Sequence, residues 1–293
     1  MNWYDELLQY VLSGISTGSI YVIVGLGFTL IYVLTRVINF AQGEFVMLGG
    51  MLTAVFYDQG ISVPLSLLIA VAMTTVVGLI MQRLVIYPAR RSATIILILL
   101  TFGFGMVIRT ASLMIFGSFP EIYPPFTGSE PIHLLGATIA PQSLWVIGIT
   151  ALIVVGLYLF LEYTLPGKAF RACSIDKLAA GIMGVNPENV SLLAFGLAAG
   201  LGALAGAVLT PITSTSYDIG TMLSIKGFVA ALIGGLNRIE GVVLGGILLG
   251  VLESLGAGYI SSGYKDAIPL IAFLVVLYFR RHGLIGGAEA GKV

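Results

Sequence analysis

Three polar side chains, Asn39, Gln42 and Glu44, fall within six residues in the stretch VINFAQGEFVMLGGML (37–52), between long apolar runs. An ionised carboxylate at the centre of a bilayer costs at least about 2.5–3.5 kcal/mol, and less near an interface. Two readings follow. In one, the three groups line a water-filled cavity or gate, with Asn39 and Gly43 four apart on a shared helix face. In the other they mark an interfacial helix start, with Asn39 as N-cap and Glu44 favoured by the helix dipole. Glu253 poses the same problem in the middle of a short apolar helix. A buried charge there requires a partner or water.

Bond-making chemistry is poorly supplied. No HExxH occurs, and His133 and His282 are far apart in the chain, so a zinc site or a Ser/His protease lacks parts. GISTG (14–18) reads as helix rather than as an active-site turn, and LSGIS (12–16) lies in an apolar run. No GxxxxGK[ST] is present, so the chain offers no P-loop for ATP. Cys173, the only cysteine, permits no intrachain disulfide, and beside Arg171 it reads as an unremarkable thiol. The expectation is a chain with no catalytic set, no metal site and no cofactor of its own.

The surrounding sequence explains why polar groups are conspicuous. Of 293 residues, 58% are hydrophobic and 10% charged, with a mean hydropathy of +1.03. Soluble domains carry about 25% charged residues. The reading is therefore an all-α, polytopic helical membrane protein, a single transmembrane domain over 1–293. Zero net charge gives no basic surface for nucleic acid. Asp5 and Glu6 near Met1 replace the basic region of a signal peptide, so the first span is expected to serve for insertion.

Segments 7–35, 39–57, 63–82, 94–116, 143–163 and 190–212 meet the need for about 20 apolar residues, and 266–281 is clear but short. Region 222–258, split by GGLNRIEG (234–241), reads as a helical hairpin of two short halves, either paired spans or a re-entrant loop. About seven to nine membrane helices result. The first segment is long for one straight helix, and Gly14, Gly18, Gly25 and Gly27 suggest a tilt or a break.

Positive charge sets orientation. Arg83, Arg90 and Arg91, then Lys168, Arg171 and Lys177, then Arg280 and Arg281 mark three cytoplasmic regions. The loops 57–62, 117–142 and 213–224 carry acids and no Lys or Arg, which places the N-terminus outside and the C-terminus inside. Arg109, Lys226 and Lys265 run against this rule. A faint echo between 25–50 and 226–246 (Gly-Phe, Asn, Gly, Leu-Gly-Gly) suggests an internal repeat, possible as an inverted pair in the manner of transporters.

Gly196/Gly200, Gly202/Gly206, Gly241/Gly245 and Gly246/Gly250 have GxxxG spacing, which serves either a moving helix interface or static packing. The loop 164–189 contains a short helical pattern, SIDKLAAGIMG, with Ser174 as cap, Asp176 in the first turn, and Gly184 and Pro187 to end it. Ile175, Leu178, Ile182 and Val185 form an apolar stripe that must be buried on something: a cytoplasmic partner, or lipid.

The stretches INFAQGEFVMLGG (38–50), YPARRS (87–92), RACSIDKLAAGIMGVN (171–186), ALIGGLNRIEGVVLGGILLGVLESL (231–255) and YKD (264–266) resemble the permease subunits of ABC importers for branched-chain amino acids, in order along nearly the whole chain. Similar permeases serve urea and short amides. The resemblance implies alternating access, powered by two cytoplasmic ATPase subunits that bind the ATP. It further implies a second permease subunit, the same or different, an external binding protein, and residence in a prokaryotic inner membrane. It makes 176–184 the coupling helix seated on an ATPase, with Asp176, Leu178, Ala179, Ala180 and Gly184 at the contact. Leu178 stands where related importers have Glu, and Gln42 where the family has His. Asn39, Gln42, Glu44 and Asn237 are the expected polar positions on the substrate path, because they fall at helix breaks. The competing reading is a self-sufficient secondary transporter or channel. That class more often shows clustered intramembrane acids. A membrane enzyme fails for want of catalytic groups.

Overall fold

Apolar runs with small residues at helical spacing dictate close-packed helices, and the computed structural model, which describes residues 3–128, 130–134, 137–279 and 284, shows eleven of them among those residues. They are α1 (Trp3–Thr35), α2 (Gln42–Asp58), α3 (Val63–Met81), α4 (Thr94–Phe116), α5 (Pro141–Tyr163), α6 (Leu165–Ile175), α7 (Lys177–Ile182), α8 (Pro187–Thr213), α9 (Ile219–Gly234), α10 (Ile239–Tyr259) and α11 (Ala267–Phe279). A π-helical turn, Gln82–Ile86, extends α3. Among the described residues six helices are long and apolar enough to cross a membrane: α1, α3 with its extension, α4, α5, α8 and α10. The all-α expectation needs one addition, a two-stranded antiparallel hairpin pairing Ile132 with Ile139 in the loop before α5.

The core is built on α1, α2 and α8, with α9 and α10 against α1. Its packing follows from glycine. α1 is one unbroken helix, so its glycines mark contacts and not a break. Gly14 lies against Val251 of α10, Gly18 against Ile247, and Gly27 against the Gln42 side chain. The four GxxxG pairs all pack inside the chain: Gly196 and Gly200 on α3, Gly202 and Gly206 on α2, Gly241 and Gly245 on α9, Gly246 and Gly250 on α1. A Cβ at Gly206 would lie 1.8 Å from the Val46 carbonyl oxygen, so α2 and α8 approach backbone to backbone there. Outer helices α3, α4, α5 and α11 expose Leu68, Leu99, Leu152 and Leu274, as an apolar solvent allows.

Contacts fix which ends share a side. Arg36, after α1, donates to Asn237 in the α9–α10 turn (3.3 Å), and Arg90 pairs with Glu188 at the start of α8 (3.0 Å). At the opposite end, Glu121 bridges Thr215 and Gln9 bonds Thr138. The hairpin region is thus two helices joined at Gly235, whose φ of +104° suits glycine. The echoing stretches both turn on the Arg36–Asn237 side, so they run in the same sense and are not an inverted pair.

Candidate functional site

α2 begins at Gln42, three residues later than the apolar run suggests, because 36–41 is irregular. Arg36 reverses the chain at a φ of +58°. Irregular backbone inside a membrane protein is tolerated when protein groups satisfy it. Here the Phe40 amide donates to the Thr101 hydroxyl of α4 (3.2 Å), which itself donates to the Ile98 carbonyl of its own helix (2.8 Å) and stands 3.4 Å from the Ile38 carbonyl. The Gly43 amide donates to the Ser224 hydroxyl of α9 (2.7 Å), and that hydroxyl donates to the Phe40 carbonyl (3.2 Å). Asn39 accepts from the Ala41 amide (3.2 Å), so it shapes the connector and does not cap α2. Thr101 and Ser224 gave no signal in the sequence, since single hydroxyls in apolar helices are common.

The connector brings Asn39, Gln42 and Glu44 to one end of α2 but aims them apart. Asn39 and Gln42 are wholly buried, which excludes an interfacial helix start. Gln42 Nε2 donates to the Ala198 carbonyl of α8 (2.9 Å), and the amide presses on Gly27 of α1. Glu44 turns the other way, between Gly105 of α4 and Gly220 of α9. Its Oε1 accepts from the exposed Thr221 hydroxyl (3.4 Å), and the same hydroxyl receives Arg109 Nη1 of α4 (3.3 Å). Arg109 also lies over the Tyr217 ring, 5.6 Å from its centre. Asn39 Nδ2, Gln42 Oε1 and Glu44 Oε2 are buried without a hydrogen-bond partner. Asn237 does not join them. It sits with Arg36 at the far end of α9 and lines a 560 Å³ cavity with Glu162, Arg171 and Arg238.

Glu253 finds the partner its position demands. Lys226 of α9 pairs with it at 2.9 Å, Tyr21 of α1 donates to it at 2.7 Å, and Lys265 stands 3.8 Å away. Asp266 takes the other side of Lys226 at 2.8 Å. The basic residues that defy the charge rule are thus accounted for: Lys226 and Lys265 neutralise a buried acid, and Arg109 faces Glu44. A 240 Å³ cavity lined by Ser13, Thr17, Thr213, Lys226 and Lys265 adjoins this cluster.

On the Arg36 side, the helix expected over 174–184 is split in two. Asp176, in extended conformation, caps α7 by accepting from the Leu178 and Ala179 amides (2.8 and 3.1 Å), while the Ser174 hydroxyl donates back to Arg171 and caps nothing. α7 ends at Ile182, and Gly184 just beyond it turns the chain at a φ of +89°. Ala180 is buried, whereas Ile175, Leu178, Ile182 and Met183 are each more than four-fifths exposed, an apolar patch (82–86%) on the tip of the loop. Val185 packs back on the core, so the stripe contributes three of its four residues to this patch.

Spanning apolar helices and an irregular connector buried among them define a multi-pass helical membrane protein. The sequence matches the family described as branched-chain amino acid transport system / permease component over residues 10–277, and the chain belongs to that family. It is 31% identical over 300 residues to the high-affinity branched-chain amino acid transport system permease protein BraD of Pseudomonas aeruginosa, covering 98% of each chain. It is 30% identical to the permease protein LivH of Salmonella typhimurium, over 98% of this chain and 97% of that one. Among solved structures, PsaBC from Streptococcus pneumoniae in complex with Fab aligns with a TM-score of 0.51 at 12% identity, covering 92% of this chain and 91% of that one. That likeness supports the fold.

Proposed function

We propose that this chain is the membrane-spanning, non-catalytic subunit of an inner-membrane ABC importer for leucine, isoleucine and valine. The full-length likeness to permeases of branched-chain amino acid systems carries the reading. In it, an external binding protein delivers the amino acid, and ATP is bound and hydrolysed by two separate cytoplasmic subunits. A second permease completes the path. The N-terminus is outside and the C-terminus in the cytoplasm. ATP favours one facing of the path only through tighter binding to it.

The exposed patch of Leu178, Ile182 and Met183 is the ATPase contact in this reading, with Ala179 and Gly184 beside it and Asp176 and Ala180 holding it in shape. Such a patch in water needs a cover. The path runs along the face where α2, α4 and α9 meet, because a part-exposed guanidinium and an exposed threonine within membrane helices belong beside water or protein and not lipid. Glu44 lies just beneath it, bonded to the exposed Thr221 hydroxyl. Asn39 and Gln42 hold the irregular connector behind it, and Asn237 stands off it, beside the cavity between α1, α5 and α6.

Reconstitution tests the proposal. Proteoliposomes holding the two permeases and the ATPases should accumulate radiolabelled leucine only with ATP and the binding protein present. Uptake of urea instead would move the chain to the amide importers. Leucine flux driven by an ion gradient without ATPases would make it a secondary transporter.

A further inference from the structure

Arg109 and Glu44 carry opposite charges, yet no ion pair within 4 Å joins them among the described residues. The Thr221 hydroxyl stands between, taking a hydrogen bond from one and giving one to the other. This is unusual inside a bilayer, where opposite charges gain most by direct contact. Glu44 is 95% buried and its Oε2 has no partner, while it lies 2.6 Å from where a Cβ on Gly220 would be. Gly220 is in the first turn of α9, and the Asp218 side chain does not cap that helix but bonds Ser216 instead (2.5 Å). The uncapped amides of a first turn attract negative charge. The junction therefore offers an anion-seeking group and a cation-seeking group held one hydroxyl apart.

A free α-amino acid presents those two charges on substituents of one carbon. We propose that Glu44 and Arg109 read the zwitterionic head of the amino acid in passage: the Arg109 guanidinium takes the α-carboxylate, and Glu44, with Asp218 nearby, takes the α-ammonium. Thr221 is the positioning residue that keeps the two charged side chains from collapsing onto each other between passages. Ile225, exposed one turn on from Thr221 along the same helix, supplies apolar surface for a branched side chain. The assignment rests on the amino acid import reading above and adds to it where within the membrane the head group is recognised.

The test uses the complete importer in proteoliposomes, with leucine flux and ATP hydrolysis measured together at saturating binding protein. Glu44→Gln and Arg109→Gln should each lower leucine moved per ATP by about tenfold or more, the worth of a charge-assisted hydrogen bond. Glu44→Asp and Arg109→Lys should recover part of it. A merely structural role would lower flux and ATP hydrolysis together through lost complex. Flux per ATP within about twofold of wild type in both neutral variants overturns the proposal. If those chains do not assemble, Thr221→Val at its exposed position decides: reduced flux per ATP supports the proposal, and unchanged flux overturns it. Should the wild-type complex itself move no leucine, the import reading fails first, and the two failures are distinct.

Discussion

Glu253 and Glu44 are both carboxylates buried among apolar helices, and the protein treats them in opposite ways. Glu253 is surrounded: a lysine in contact, a tyrosine hydroxyl on its other oxygen, and a second lysine nearby. Glu44 receives one long hydrogen bond from a threonine, keeps one oxygen unpartnered, and stands near an arginine that does not touch it. A satisfied buried pair locks helices in register. An unsatisfied one costs stability and persists where a function uses it. The contrast separates a polar group that fastens α1, α9 and α10 from one that waits for something to bind.

The comparison can be broken most forcefully at Lys226. Replacing it by Met leaves Glu253 charged and buried, and should lower stability by about 3–5 kcal/mol in thermal unfolding of the detergent-solubilised chain. Lys265, half exposed at 3.8 Å, is only a partial substitute. Adding Glu253→Met should restore most of the loss, because an apolar pair of similar volume is close to neutral. Gly206→Ala probes the frame that holds Glu44. Its Cβ would meet the Val46 backbone, and overpacking of this kind costs about 1–3 kcal/mol, seen as a lowered midpoint with flux falling in parallel. Glu44→Gln sharpens the contrast, since it should leave stability within about 1 kcal/mol of wild type while leucine flux per ATP collapses. Asn237→Ala should have the smallest effect, under about 0.5 kcal/mol and with near-normal uptake, because its one hydrogen bond is solvent-exposed.

Much of this architecture was legible because the bilayer permits few solutions. The apolar runs located nearly every helix, and the isolated Glu253 announced that a partner must exist. Lys226, Lys265 and Arg109 stood out only as exceptions to the charge rule; that they face Glu253 and Glu44 follows from the packing of α4, α9 and α10. What could not be read was direction. Asn39, Gln42 and Glu44 are neighbours in sequence, but the rotation between successive helical residues sends Gln42 to α1 and α8 and Glu44 to α4 and α9. The short helix over 174–184 was visible as a pattern. Its break at Asp176 was not, because Ser174 and Asp176 are equally good caps and only backbone conformation chooses between them. The glycines of α1 were read as weakness when they are contact points, a distinction that depends on which helix lies opposite.

The central claim is that the α2–α4–α9 junction is wet and carries the amino acid. Cys173 is the only cysteine and is buried, so Thr221→Cys in a Cys173→Ser background places one reactive thiol at the junction. In the assembled importer, a water-soluble, membrane-impermeant thiol reagent should label that position, and bound leucine should slow the labelling. Labelling by lipid-soluble maleimide alone, untouched by leucine in any nucleotide state, would contradict the account.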